Sequence, residues 1–526
     1  MVQTGALLGD VSDVGYFEVP ISIGAPAQEF SLIVDTGSVV TAVPCVGCDQ
    51  CSAGAPREHA EYSGSKSSTR RKLDCRDDAC PTTTRASGGG FNRCGKLEAG
   101  TRTPCLMEQR YTEGSRISGE YESDVVCIGG GSACVDAPAR LAFGCATSMT
   151  RLFRSQRADG ILGLGRHSQT LVSALAAQRR GARDAFAVCL GRASGELTLG
   201  GLGGAPDADV AWTPLVAGSA PTQYSVALER VVLGRGDIGA LERTIGAVLV
   251  DSGTTFSYLG GVAFELLRSA LARFCARDPA RRCVAPRVDG ADEGSVSCFD
   301  FSAAPPQSSD EHDAALRSFP NMTIVMRGGE TLCITAHQYL FALLPAASGA
   351  PVVGRKIKCV GIFRDDSRAV LGVNLMTGFE SKFDREGKRL GFARAACGGG
   401  GGGGGGGAMP YPRCDASERA NVARFVWSTS WTMRLRVYFA GRLSRLLVAV
   451  IVALALCCVS IQLLVCGCAH ERNQCEERCD DLRDCSAALR RSARGRAAVI
   501  ALPAEDANED GADDHVEGER RGLLPA

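Results

Sequence analysis

The apolar positions of this chain fall into short runs set off by Gly, Pro and Asp, with little sustained helical period. Tyr16–Ile23 (YFEVPISI), Phe30–Val34 (FSLIV) and Ala247–Val250 (AVLV) carry the aliphatic and aromatic residues that favour strands. Helical stretches such as Val262–Arg273 are few. From Gly15 to Cys397 the pattern predicts a mainly β unit of roughly 385 residues, too long for one hydrophobic core.

Ten consecutive glycines, 398–407, close that unit. Such a run has a root-mean-square span of about 17 Å and no preferred shape, so it reads as a linker. After a juxtamembrane segment, 408–445, Leu446–Cys466 carries no charge over 21 residues. As a helix it measures about 30 Å, enough to cross the hydrocarbon core of a bilayer. A buried core helix is the alternative, and the uninterrupted length argues against it. Four arginines precede the segment (434, 436, 442, 445) and three follow it (472, 478, 483), so flanking charge does not set its orientation.

Composition supplies the orientation instead. Cysteine occurs 25 times in 526 residues, and 17 of these lie between Cys45 and Cys397. That density reads as disulfides in an oxidising compartment, with a reduced, metal-rich protein as the alternative. The unit before the glycines is then lumenal and the tail, 467–526, is cytosolic and largely disordered. Met1–Gly15 has neither a basic n-region nor an apolar h-region, which leads us to expect a leader or prosegment upstream of it. Glu519, Leu523 and Leu524 fit the acidic dileucine pattern that sorting adaptors read. Cys457, Cys458, Cys466 and Cys468 are either palmitoylation sites or ordinary small apolar residues. Asn321-Met-Thr323 is the single glycosylation sequon, compatible with a secretory lumen.

Lys+Arg and Asp+Glu both number 58, which argues against binding nucleic acid through a broad basic surface. No HExxH, GxSxG or GxxxxGK[ST] occurs, and six scattered histidines leave little room for a histidine-built metal site. No cofactor or metal is expected.

The chemistry lies in a feature that occurs twice. Phe30-Ser-Leu-Ile-Val-Asp35-Thr-Gly-Ser38 and Ala247-Val-Leu-Val-Asp251-Ser-Gly-Thr254 are each an apolar strand entering Asp-[Thr/Ser]-Gly-[Thr/Ser], 216 residues apart. Each is followed by an apolar-apolar-Gly element, Ile161-Leu162-Gly163 and Val370-Leu371-Gly372. Two carboxylates about 3 Å apart cannot both ionise, so they share one proton. The ionised member can deprotonate a water while the protonated one polarises a peptide carbonyl. Asp35 and Asp251 are therefore the candidate catalytic pair. Gly37 and Gly253 let the backbone turn sharply and bring an amide to a carboxylate. Thr36 and Ser252 are placed to brace the two loops against each other, and Ser38 and Thr254 to donate to the outer carboxylate oxygens.

On these residues the chain resembles the pepsin-like aspartic proteases over nearly all of 15–397. Tyr16–Gln28 is similar to that family's opening strand pair, Ala158-Asp-Gly-Ile-Leu-Gly-Leu-Gly165 to its first-lobe signature, and Trp212-Thr-Pro-Leu215 to the entry of its second lobe. The resemblance implies two β lobes, 1–211 and 212–397, with a cleft between them that takes polypeptide substrates. It also implies a flap over 107–125 carrying Tyr111, Glu113, Gly114 and Ser115 (Tyr111-Thr-Glu-Gly-Ser115). The family's usual Trp shortly after the first motif is replaced by Val39-Val-Thr-Ala-Val-Pro44, which sets the chain apart from the closest pepsin relatives and leaves the flap tyrosine's usual hydrogen-bond partner open.

Seven cysteines at 45, 48, 51, 75, 80, 94 and 105 form an insert. Cys45-x2-Cys48-x2-Cys51 has the spacing of a metal or iron–sulfur site, and the odd count means that at least one member pairs outside the insert or stays free. The insert, the flap string and the C-terminal apolar segment together are similar to the branch of plasmepsin V and the nepenthesin-like proteases. Thr112 stands where plasmepsin V has a cysteine, so redox sensitivity of the flap is not carried over. That branch implies that Glu113 binds an arginine upstream of the cut, against a simple solvated glutamate. The expected function is a membrane-anchored aspartic endopeptidase of the secretory pathway, ER/Golgi or endolysosomal. A surface or endolysosomal sheddase of broad specificity and a protein-binding relative without catalysis are the alternatives.

Overall fold

The fold is described from a computed structural model. It covers residues 2–397 except 12–13, 50, 52–59, 82–90, 95–100, 130–137, 235, 241–245, 278–282, 285–297, 302–314 and 343–356. The glycine linker, Leu446–Cys466, the four cysteines around it and the dileucine-like tail lie outside the described residues. Among the described residues no helix is long and apolar enough to cross a membrane.

The unit is mainly β, as its short apolar runs predict. Its largest sheet contains six neighbouring strands drawn from both halves of the chain: Ala211–Pro214, Arg389–Arg394, Phe379–Asp384, Ala185–Leu190, Ser194–Leu199 and Gln3–Asp10. From Gln3–Asp10 the sheet continues into the first half through Tyr16–Ile23, Gln28–Asp35, Gly160–Gly163, Ala42–Asp49, Ala139–Met149, Arg116–Ile128 and Leu106–Arg110. The second half builds its own eight-stranded sheet around Ser225–Leu233, Ala247–Val250 and Ala369–Leu371.

The strand Gln3–Asp10 extends the β unit upstream of Gly15, where the apolar pattern begins. Gly5, Ala6 and Gly9 have little intrinsic strand preference. The segment is held by antiparallel pairing on both sides, to Ser194–Leu199 and Tyr16–Ile23, and buries Leu7.

The core runs through the shared sheet. Phe186 of the first half stacks on Phe383 of the second with ring centroids 4.4 Å apart, and Tyr224 meets Phe383 edge-on at 4.8 Å. The Tyr224 hydroxyl donates to the Leu164 carbonyl (2.8 Å), tying the second half to the loop behind the first motif. Burying such rings contributes roughly 1.5–3 kcal/mol each. The helix Gly261–Cys275 buries Ala263, Phe264, Leu267, Ala270 and Leu271, the i, i+1, i+4, i+7, i+8 stripe of an amphipathic helix.

The odd cysteine count of the insert resolves through Cys45, which pairs with Cys145 on the strand Ala139–Met149. The remaining six pair among themselves as Cys48–Cys51, Cys75–Cys94 and Cys80–Cys105. The metal-like spacing at 45, 48 and 51 is thus occupied by disulfides. Cys189–Cys397 and Cys298–Cys359 bridge positions farther along the chain.

Candidate active site

Each motif aspartate lies at the end of a strand in the interior of its sheet. Gln28–Asp35 runs parallel to Gly160–Gly163 with Gly163 opposite Asp35, and Ala247–Val250 runs parallel to Ala369–Leu371. The Asp35 carbonyl accepts from Leu164 N (2.8 Å), and the Asp251 amide donates to the Leu371 carbonyl (3.0 Å). A Cβ on Gly163 would lie 2.5 Å from the Val39 backbone, and one on Gly372 2.3 Å from the Phe256 carbonyl oxygen. The apolar-apolar-Gly elements therefore back the two loops at a distance only glycine allows.

The loops are locked together by their hydroxyls. The Thr36 amide donates to Ser252 Oγ (3.1 Å) and the Ser252 amide to Thr36 Oγ1 (3.0 Å). The Thr36 hydroxyl donates to the Val250 carbonyl (3.0 Å) and that of Ser252 to the Val34 carbonyl (2.6 Å). All four bonds are buried, where leaving one donor or acceptor unpaired costs about 1–3 kcal/mol.

Within each loop the carboxylate is held from two sides. Asp35 accepts from the Gly37 amide (2.8 Å) and the Ser38 hydroxyl, and Asp251 from the Gly253 amide (2.8 Å) and the Thr254 hydroxyl (2.6 Å). Each glycine also faces the other half's carboxyl. A Cβ on Gly37 would lie 2.6 Å from the Asp251 carboxyl, and one on Gly253 2.4 Å from Asp35 Oδ1.

The aspartates are 4 % and 7 % exposed, and each lies against the glycine that follows the other in its motif. Burial first, and then the negative charge of Asp251, push the Asp35 carboxyl well above the usual carboxylate range. A carboxyl raised in this way keeps its proton at pH values where an isolated carboxylate in water has lost it. The pair can accept a proton and donate another at once.

Over the pair lies a hairpin. Leu106–Arg110 pairs with Arg116–Ile128, Arg110 opposite Arg116, and the tip closes through Gly114 N to the Tyr111 carbonyl (3.0 Å) and Tyr111 N to the Ser115 carbonyl (2.9 Å). Gly114 has φ +92°, a conformation L side chains rarely adopt. Ser115 Oγ accepts from Leu152 N (3.2 Å). Tyr111 lies edge-on to Phe153 with centroids 5.0 Å apart, and its buried hydroxyl makes no hydrogen bond of ordinary geometry among the described residues.

Two cavities adjoin the pair, and Tyr111 and Glu113 line both. The first, of about 410 Å³, is walled by Ile33, Phe153 and Ile161 and has Gln156 and Arg157 in its lining. The second, of about 350 Å³, takes in both aspartates, Leu249, Phe256 and Arg368. Gln156 and Arg368 escape the motif-based reading because neither belongs to a recurring motif.

The comparisons with known proteins agree with this geometry. Residues 17–201 match the family model described as xylanase inhibitor N-terminal, and 223–394 its C-terminal counterpart. The chain is 26 % identical to Aspartyl protease family protein 1 of Arabidopsis thaliana, over 72 % of this chain and 67 % of that protein. The chain belongs to the pepsin-like aspartic proteases. Aspartic protease 5 of Toxoplasma gondii is 32 % identical over 37 % of this chain, and Plasmepsin V of Plasmodium falciparum 31 % over 37 %. The matches span only 20 % and 30 % of those two proteins. Although the family model is described by an inhibitor, both carboxylates and their supporting hydroxyls are present here. Within this family, that is the site of an aspartic-type endopeptidase.

Proposed function

We propose that this protein is a membrane-anchored aspartic endopeptidase that processes secretory or exported proteins at defined sites, with an arginine preferred upstream of the cut. Asp35 and Asp251 are its catalytic residues. The ionised carboxylate takes a proton from water as the water oxygen bonds to the peptide carbonyl carbon. The protonated carboxyl gives its proton to the carbonyl oxygen. As the resulting gem-diol collapses and the C–N bond breaks, one of its hydroxyls gives its proton to the carboxylate that is now ionised while the other carboxyl protonates the departing nitrogen, so the pair returns to its single-proton state.

The observation that carries the specificity is Glu113. Glu113 lines both cavities beside the pair, and its carboxylate has no ion-pair partner among the described residues. Arg151, a cation beside the flap tip, donates instead to the Glu113 main-chain carbonyl (3.4 Å). A substrate guanidinium would meet an open acceptor there, with the apolar wall of Ile33, Phe153 and Ile161 receiving an aliphatic or aromatic side chain nearer the cut. Membrane anchoring rests on the uncharged run Leu446–Cys466.

A second reading, a broad-specificity sheddase or endolysosomal protease, is favoured by Glu519, Leu523 and Leu524 if an adaptor reads them. Digestion of a peptide library by the full-length protein decides between the two. Cleavage that requires an upstream arginine, loses that requirement in Glu113→Gln and vanishes in Asp35→Asn is the expected result. Cutting between apolar residues whatever lies upstream would favour the sheddase. No cutting by a folded protein would point to a binding role without catalysis.

A further inference from the structure

Arg368 plays no part in the chemistry above, yet it spans the cleft. Its Nη1 donates to Thr112 Oγ1 at the flap tip (2.7 Å), between residues 256 apart in sequence and in opposite halves of the chain. We propose that Arg368 is a positioning residue that clamps the flap from the second half, with Thr112 as the catch.

The clamp is built on a prepared base. Arg368 Nε donates to Asp365 Oδ2 (3.2 Å), and the Asp365 carboxylate also accepts from the Ser367 amide (2.8 Å) and hydroxyl (2.5 Å). The Asp365 amide in turn donates to the Leu259 carbonyl (3.0 Å). A guanidinium fixed through one nitrogen presents its others in a set plane. The next residues, Ala369–Leu371, are the strand whose last carbonyl receives the Asp251 amide. One segment therefore holds the second aspartate at one end and the flap tip at the other.

The first half offers a control. Asp159 lies four residues before Gly163, as Arg368 lies four before Gly372. Asp159 accepts from the Ser31 amide (2.7 Å) and the Ala60 amide (3.0 Å), both in its own half. At the matching place the second half carries a long cation that reaches across. The flap's other tip contacts, Tyr111 on Phe153, Ser115 on Leu152 and Glu113 on Arg151, all lie within the first half. They place the flap but do not fasten it over the far side of the cleft. A clamp that re-forms over bound substrate stabilises the closed complex, so its loss acts on substrate binding more than on the chemical step.

The inference rests on the protease reading and is tested on the full-length protein in detergent with one cleavable peptide. Thr112→Val and Arg368→Gln are each expected to raise KM roughly three- to tenfold with kcat changed less than twofold. The double variant should be no worse than either single one, and Thr112→Ser should restore the parent value. Additive losses in the double variant, or single variants equal to the parent, overturn the clamp. Thr112 is exposed, so Thr112→Val carries the test if Arg368→Gln lowers the melting temperature. If the parent shows no Asp35-dependent cleavage, the protease reading has failed. The clamp is then read from amide hydrogen exchange of 106–116, which both variants should accelerate and which, if unchanged, overturns it.

Discussion

The two halves of the cleft place their aspartates by the same device and then diverge. In both, a strand ends in the carboxylate, a parallel strand ending in Gly163 or Gly372 backs it, a glycine amide holds one oxygen, and a hydroxyl three residues on holds the other. The first half adds the flap and the disulfide-braced insert, with Cys105 leading directly into the flap strand. The second half places Arg368 where the first has Asp159. The shared device sets two carboxyls at one place, and the differences decide what lies above them. Chemistry here depends on near-symmetry, and selectivity and closure depend on its absence.

The strongest test of the shared device is to remove one member. Asp35→Asn and Asp251→Asn should each lower kcat at least about thousandfold, measured by peptide cleavage, because neither half can hold the acid and the base together. Retention of substantial turnover by one variant would break the equivalence of the halves.

The glycines come next. Gly37→Ala and Gly253→Ala each drive a methyl into the opposite carboxyl, at 2.6 and 2.4 Å. We expect a loss of activity of about a hundredfold and a destabilisation of roughly 1–3 kcal/mol, read by kinetics and thermal melts. Ser252→Ala removes one donor and one acceptor from the buried lock and should cost roughly 1–3 kcal/mol in chemical denaturation.

The pH dependence sharpens the asymmetry. Asp35 binds its proton more tightly folded than unfolded, because burial and the Asp251 charge raise its pKa. The stability it contributes is full below the ordinary carboxylate pKa and is lost as pH rises through the raised value. Activity should fall over the upper part of the same window as the shared proton leaves. In Asp35→Asn the dependence of melting temperature on pH should be flatter there. An unchanged slope would show that the pair does not hold the proton. The smallest effect concerns the flap: Glu113→Gln should reduce the preference for an upstream arginine about tenfold, with little change in thermal stability, measured with paired Arg and Gln peptides.

Much of the site was legible because its chemistry demands particular residue types at close spacing. Asp-[Thr/Ser]-Gly-[Thr/Ser] after an apolar strand leaves few readings once it occurs twice, and Tyr111-Thr-Glu-Gly-Ser115 has the glycine its turn requires. Other features were not legible. The strand Gln3–Asp10 is made by its neighbours and not by its own residues. The Cys45–Cys145 pair closes a separation of 100 residues, and parity alone said only that some cysteine of the insert needed an outside partner or stayed free. Arg368 has no local signature, although its position four residues before the second glycine, matching Asp159, was open to inspection.

By itself, then, the amino-acid order determined which groups the protein brings to the reaction, and that each stands at the end of a strand, because those are properties of residue type and near neighbours. Only the tertiary structure decided that the two carboxyls meet in a buried place, that Tyr111 and Glu113 line the cavities beside them, and that an arginine of one half reaches the flap of the other. Proton sharing and cross-cleft contacts depend on distances between atoms hundreds of residues apart and on the water excluded between them, and local spacing along a chain encodes neither.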